Sequence, residues 1–126
     1  MDKGLELDLT QPSREIDLLI EQHVMGYVIS EDGGRDYVLY GHNTGHSEPR
    51  PFSFDPGAGS RMMKKMREDD WWIGIYGYPK RKKRKWSVTF RRAYGHPDYS
   101  TTGCGAGDTL EHAASVAALR ALGVLP

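Results

Sequence analysis

Two alternating segments around a run of six cations constrain this chain more than any other feature. Trp71, Ile73 and Ile75 alternate with Trp72, Gly74, Tyr76 and Tyr78. After the run, Trp86, Val88 and Phe90 alternate with Ser87, Thr89 and Arg91. A period of two is that of a strand, with successive side chains on opposite faces. Two such runs joined by residues 79–85 predict an antiparallel hairpin with Lys80, Arg81, Lys82, Lys83, Arg84 and Lys85 at its tip. Aromatic residues on both faces of the first strand predict a sheet covered on both sides, most simply by helices.

Charge is distributed as unevenly as the cations suggest. Of 126 residues, 17 are Lys or Arg and 17 are Asp or Glu, so the formal net charge is zero. Residues 1–55 nevertheless hold 4 basic and 11 acidic side chains, whereas residues 61–92 hold 12 basic and 3 acidic. Six adjacent cations repel one another and favour solvation unless an anion neutralises them. The run is therefore a solvated tip, an arm for phosphate, or a contact for a partner's acidic patch.

Elsewhere the pattern is helical or irregular. After the lead-in 1–12, Ser13 is a good N-cap, and Ile16, Leu19, Ile20 and Val24 form an amphipathic stripe. A helix over 13–25 with Gly26 beyond its end is predicted. Tyr27–Ser30 and Asp36–Tyr40 read as strands around a Glu31-Asp32-Gly33-Gly34 turn. Residues 41–54 read as irregular. Asp55-Pro56 has the order of an N-cap and a proline at the first helical position. The second helix then sets Met62, Met63 and Met66 against Lys64, Lys65 and Arg67, a core stripe or an adaptable partner surface. Residues 93–107 read as a loop. Asp108 is the predicted cap of a last helix, with Glu111 as in a capping box and Leu110, Ala113, Ala114, Ala117 and Ala121 on one small-residue face.

Few motifs point to chemistry. Thr101-Thr102-Gly103-Cys104-Gly105-Ala106-Gly107 before a helix reads as an anion-binding loop or a plain turn. It lacks the Gly-Lys-[Ser/Thr] ending of a nucleotide-hydrolysing loop, and Asp108 would compete with an anion. His42 and His46 have a metal-ligand spacing only if helical, and Gly45 argues against a helix. Cys104, the single cysteine, excludes an internal disulfide and reads as a small buried or partly buried thiol in a reducing compartment. The residues 1–8 carry too many acids for a signal or transit peptide, and no apolar run is long enough to span a bilayer. No nucleophile elbow, zincin or deaminase pattern is present, so no enzyme, metal or cofactor is expected. Arg91, Arg92 and Tyr94, after Phe90, combine guanidinium with aromatic faces as a nucleotide requires, although aromatic strand residues also serve as plain core.

Three stretches in order resemble the phage ABA sandwich domain family. Arg14 to Gly26, ending Val-Met-Gly, resembles its opening helix. Pro51-Phe52-Ser53-Phe54-Asp55 is similar to its Pro-Tyr-Ser-Thr-Asp signature. Asp108-Thr109 with the following alanines resembles its closing helix. Ser115 and Val116 stand where many members have a cysteine and a long side chain, often arginine. The resemblance implies a fold and a role as a phage or prophage protein, since the understood relatives are Thoeris anti-defence proteins. Those sequester cyclic ADP-ribose-type signals between subunits without cleaving them, and some members hold cyclic oligonucleotides.

The expected fold is α+β, a three-layer α/β/α sandwich with an antiparallel sheet of about four strands, as one domain over 1–126. The expected function is capture of a cyclic nucleotide immune signal in the host bacterial cytoplasm, as a homo-oligomer without membrane association. In that reading Arg91 and Arg92 meet phosphates, Phe90 or Tyr94 stacks on a base, and Asp108 or Thr109 bonds a ribose. The alternative is an inhibitor whose hairpin Lys80–Lys85 contacts nucleic acid or an acidic defence protein.

Overall fold

Local chemistry accounts for most of the helix ends. The computed structural model describes residues 7–41, 45–97 and 100–126. Helix α1 spans Arg14–His23, and the Ser13 hydroxyl accepts from the Ile16 N–H at 3.2 Å. Glu15 and Asp17 lie in its first turn, where the dipole favours acids. Ile16, Ile20 and Val24 are buried as the stripe predicts. Strands β1 (Val28–Asp32) and β2 (Arg35–Leu39) pair antiparallel around Gly33 and Gly34. Both glycines have positive φ, +62° and +80°, as the commonest two-residue hairpin turns require. Helix α2 spans Pro56–Glu68, and the Asp55 carboxylate accepts from the Ala58 N–H at 2.9 Å. Met62 and Met66 are buried core residues.

Strands β3 (Trp71–Gly77) and β4 (Trp86–Arg92) form the expected hairpin in full register, from Trp71 opposite Arg92 to Gly77 opposite Trp86. The segment read as a loop contains a further strand, β5 (Thr102–Gly107), which pairs antiparallel with β4. Its glycines hid it, because glycine is a poor strand former. The physical reason for them is close approach. A Cβ at Gly103 would lie 2.1 Å from the Ala121 nitrogen, and one at Gly105 would lie 2.4 Å from the Ala113 carbonyl oxygen. Helix α3 (Leu110–Ala121) rests directly on this glycine face. Its cap is Thr109 rather than Asp108: the Thr109 hydroxyl accepts from the His112 N–H at 3.2 Å.

The α+β sandwich expected from the sequence is what forms. Its strands divide into a two-stranded hairpin, β1–β2, and a three-stranded sheet in the order β3-β4-β5, instead of one sheet of about four. Helix α1 touches the hairpin and α3, while α3 also touches α2, β4 and β5. The helices therefore lie between the two sheets. Helix α3 is buried on nearly every side, from His112 to Leu119. The three-stranded sheet is covered on its inner face only.

A polar seam joins α1 to the segment before α2. Asp17, nearly buried, accepts from the Ser53 N–H at 2.8 Å and from its hydroxyl at 2.7 Å. Glu21, fully buried, accepts from the Arg50 side chain at 2.7 and 3.1 Å, from the Arg50 N–H at 3.1 Å, and from the Tyr40 hydroxyl. The Pro51–Asp55 signature thus has a structural role: it docks on Asp17 through Ser53 and caps α2 through Asp55.

Candidate functional site

Strand alternation puts the odd-numbered residues of β3 on the inner face and Trp72, Gly74 and Tyr76 on the outer face. Nothing covers the outer face. Trp72 and Tyr76 are each 58% exposed, large apolar surface of the kind that marks interaction sites. They are about 14 Å apart along the strand. Gly74 lies between them, and a Cβ there would be 3.5 Å from Cε2 of Tyr76, so the tyrosine ring leans back across the glycine. The register aligns Trp72 with Arg91 of β4 and Thr102 of β5, Gly74 with Thr89 and Cys104, and Tyr76 with Ser87 and Ala106. One end of this face therefore carries an exposed indole beside an exposed guanidinium.

Cys104 is exposed on this face, contrary to the buried thiol expected, and its Sγ is 3.4 Å from Oγ1 of Thr89. Strand β5 explains the reversal: the glycines around Cys104 take the helix-facing positions and turn the thiol outward. The same strand removes the anion-binding loop, because Thr102 to Gly107 is paired with β4.

The residues singled out from the sequence separate into three environments. Phe90 is fully buried in the core, so its ring is not available for stacking on a ligand. Arg91 is exposed on the outer face. Arg92 faces inward, half-buried; its guanidinium lies 4.1 Å from the Trp71 ring and donates to the Asp69 carbonyl at 2.5 Å. Tyr94 is 88% exposed just beyond β4. Asp108 and Thr109 lie at the other end of β5, about 20 Å of strand from the Arg91–Thr102 pair. Thr109 caps α3, and Asp108 accepts from the Arg84 N–H at 2.5 Å. The six residues therefore do not form one site. Trp72 and Tyr76 are the aromatic residues that face solvent with Arg91, and their period-two spacing was the signal for them.

The basic run is an ordered hairpin tip. The Tyr78 N–H donates to the Lys85 carbonyl at 2.7 Å, the Arg81 guanidinium stacks 3.7 Å from the Tyr78 ring, and Arg84 has φ +52°. Lys80 to Lys85 are all exposed. On the other side of the molecule, Leu7, Leu18, Leu19 and Ile29 line a shallow cleft of about 180 Å³, with Glu15, Gln22 and Asp36 at its edge.

Three shifted groups have structural causes. Burial pushes the Asp17 carboxyl up to about 6, against the pull of the Ser53 hydrogen bonds. Burial, with the bond to Glu21, raises the Tyr40 phenol to about 12. Burial lowers His112 and favours its neutral form. None of them lies on the outer face. His46 lies near Ser30 and Asp32, while its sequence partner His42 is outside the described residues. Among the described residues no three His, Cys, Asp or Glu side chains converge as a metal site would need, and no helix is long and apolar enough to cross a membrane.

Comparison with known proteins extends the fold alone. The chain is similar to the crystal structure of a phage protein from Bacillus cereus ATCC 14579, with a TM-score of 0.68 and 16% identity. The match covers 90% of this chain and 89% of that one. No protein-family model and no curated protein matches.

Proposed function

We propose that this is a phage or prophage protein that binds a nucleotide on the outer face of its three-stranded sheet and holds it without cleavage. The observation that carries this reading is the register that sets exposed Trp72 beside exposed Arg91 on an uncovered face. An indole offers a π surface to a base, and a guanidinium offers paired donors to a phosphate. The fold likeness to a phage protein and the resemblance to the ABA sandwich family support a phage origin. That resemblance also favours a cyclic nucleotide immune signal in the host cytoplasm as the ligand.

The chemistry of the face favours binding over catalysis. Its nucleophile, Cys104, has the neutral Thr89 hydroxyl as its neighbour, which does not serve as a general base. The face is shallow, so a second copy would be needed to enclose a small ligand. Arg91 and Trp72 are the phosphate and base contacts in this reading, with Tyr94 near the same end. Arg92, Asp108 and Thr109 support the fold around it.

The test is capture and release. The protein is mixed with cyclic ADP-ribose isomers and cyclic oligonucleotides, filtered, then heat-denatured. Intact ligand recovered in stoichiometric amount, and lost with Arg91→Ala, is the expected result. A cleaved product makes the protein an enzyme, and no retained ligand rejects capture of those compounds.

A further inference from the structure

The outer face does not stop at Tyr76. The ladder continues through the bond from the Tyr78 N–H to the Lys85 carbonyl, and strand alternation sets that pair in line with Tyr76 and Ser87. Beyond it come the remaining cations of the tip. One continuous strip thus runs from Arg91 and Trp72, past Tyr76, to Lys80–Lys85. It combines two exposed rings, far enough apart for two separate bases, with a cluster of positive charge at one end. The tip is also held in place: its fold is fixed by Tyr78–Lys85 pairing and by Asp108 accepting from the Arg84 N–H. A cluster of six cations has far more charge than one small nucleotide can neutralise.

We propose that this strip binds single-stranded nucleic acid, with bases stacked on Trp72 and Tyr76 and the backbone phosphates running onto the Lys80–Lys85 tip. Proteins that hold single strands combine these two features, a row of aromatic platforms and a basic track for the backbone. Charge complementarity selects the occupant. A polyanion with flat bases uses both the rings and the cations, whereas an acidic peptide uses the cations alone. The residues Gly74, Ser87 and Thr89 keep the floor between the rings free of bulk, so a splayed strand can lie on it. The proposal rests on the reading that this face takes a base, and it extends that reading from one nucleotide to a strand.

The test is fluorescence anisotropy with a labelled 12-residue oligothymidylate and its RNA counterpart, against poly-glutamate of equal charge. Binding should weaken steeply with salt, with a log–log slope of about −4 if six phosphates are neutralised. Changing Lys80, Arg81, Lys82, Lys83 and Lys85 to Ser and Arg84 to Asn should bring that slope close to zero. All six are exposed, so this variant should keep the parent's Tm. Trp72→Ala and Tyr76→Ala should each weaken binding by roughly 5- to 100-fold. Base stacking should quench tryptophan fluorescence, and Trp72→Phe should remove the quench.

Equal affinity for poly-glutamate, or strand binding untouched by the Trp72 and Tyr76 variants, overturns the proposal. So does an oligomer that Trp72→Ala dissociates without changing strand affinity, which assigns the face to a second copy. Capture of a cyclic nucleotide with no strand binding rejects this inference and leaves the proposed function standing. Strand binding with no capture of small nucleotides supports the inference and rejects the signal-binding reading.

Discussion

The two faces of the three-stranded sheet are built from opposite materials. The inner face of β5 is glycine, and the helix upon it presents alanines. The outer face carries Trp72 and Tyr76, and these larger rings are the ones left in water. Burial here follows shape rather than side-chain hydrophobicity. Removing side chains at Gly103 and Gly105 lets the α3 backbone approach β5 closely, so the core gains contact area from main-chain proximity. A solvent-facing indole and phenol gain nothing for the fold and therefore point to a ligand.

The largest test of this contrast is Gly105→Ala. Its methyl group would lie 2.4 Å from the Ala113 oxygen and 2.6 Å from the Ala117 nitrogen. Backbone atoms cannot swing aside, so α3 must lift, at a cost of about 3 kcal/mol or more. Chemical denaturation should show that loss, and thermal melting should show a Tm lower by many degrees. Ala106→Val, one residue along on the outer face, should change stability by less than about 0.5 kcal/mol. A tolerant Gly105 or an intolerant Ala106 would break the comparison.

Behind the inner face, the helical layer accepts buried charge only with partners. Arg50→Ala would strand the fully buried Glu21 carboxylate. Because the Arg50 side chain keeps 31% exposure, the expected cost is at the low end for such pairs, about 3 kcal/mol. Urea denaturation of Arg50→Ala beside Glu21→Gln/Arg50→Ala separates the stranded charge from lost packing. The double variant should recover part of the loss.

Asp17 sharpens the same point through pH. Its carboxyl titrates at about 6 in the folded chain, above its ordinary 3.8. The folded state therefore holds the proton more tightly, and this contribution to stability is full below about pH 4. It falls as the pH rises through 6, by about 3 kcal/mol at most. Asp17→Asn keeps an oxygen to accept from Ser53 and removes the charge. The difference between parent and variant stability, measured from pH 3.5 to 7, should tilt toward the variant as pH rises. A flat difference would mean that Asp17 is solvated in a way its geometry does not suggest.

The smallest expected effect is on the outer face itself. Trp72→Ala and Tyr76→Ala should leave stability within about 0.5 kcal/mol of the parent, since both rings are mostly in water. Losing ligand without losing Tm is the signature of a binding surface. A Tm that collapses would return these rings to the fold.

Much of this architecture was legible in the residues. The Trp71–Arg92 hairpin, the Ser13 and Asp55 caps, the Gly33-Gly34 turn and the buried stripes of α1 and α2 follow from period, capping and turn chemistry. These depend on neighbours within a few positions, which is why a linear reading finds them. The site was less legible. Arg91 and Tyr94 are exposed as a ligand contact must be, but Phe90 is core and Asp108 and Thr109 sit at the far end of β5. Alternation sorts residues onto two faces without saying which face meets water.

What the chain order by itself determined is the set of local elements and the position of the cations: an amphipathic first helix, two hairpins, and a basic tip on the second. Only tertiary structure decided that Thr102–Gly107 is a strand. A glycine-rich segment has little intrinsic preference for extended backbone, and it becomes one by pairing with β4 and receiving α3. The same docking chose the buried face of the sheet. Once α3 took the glycine side, Cys104, Trp72 and Tyr76 had to face outward, because side chains two apart share a face and neighbours do not.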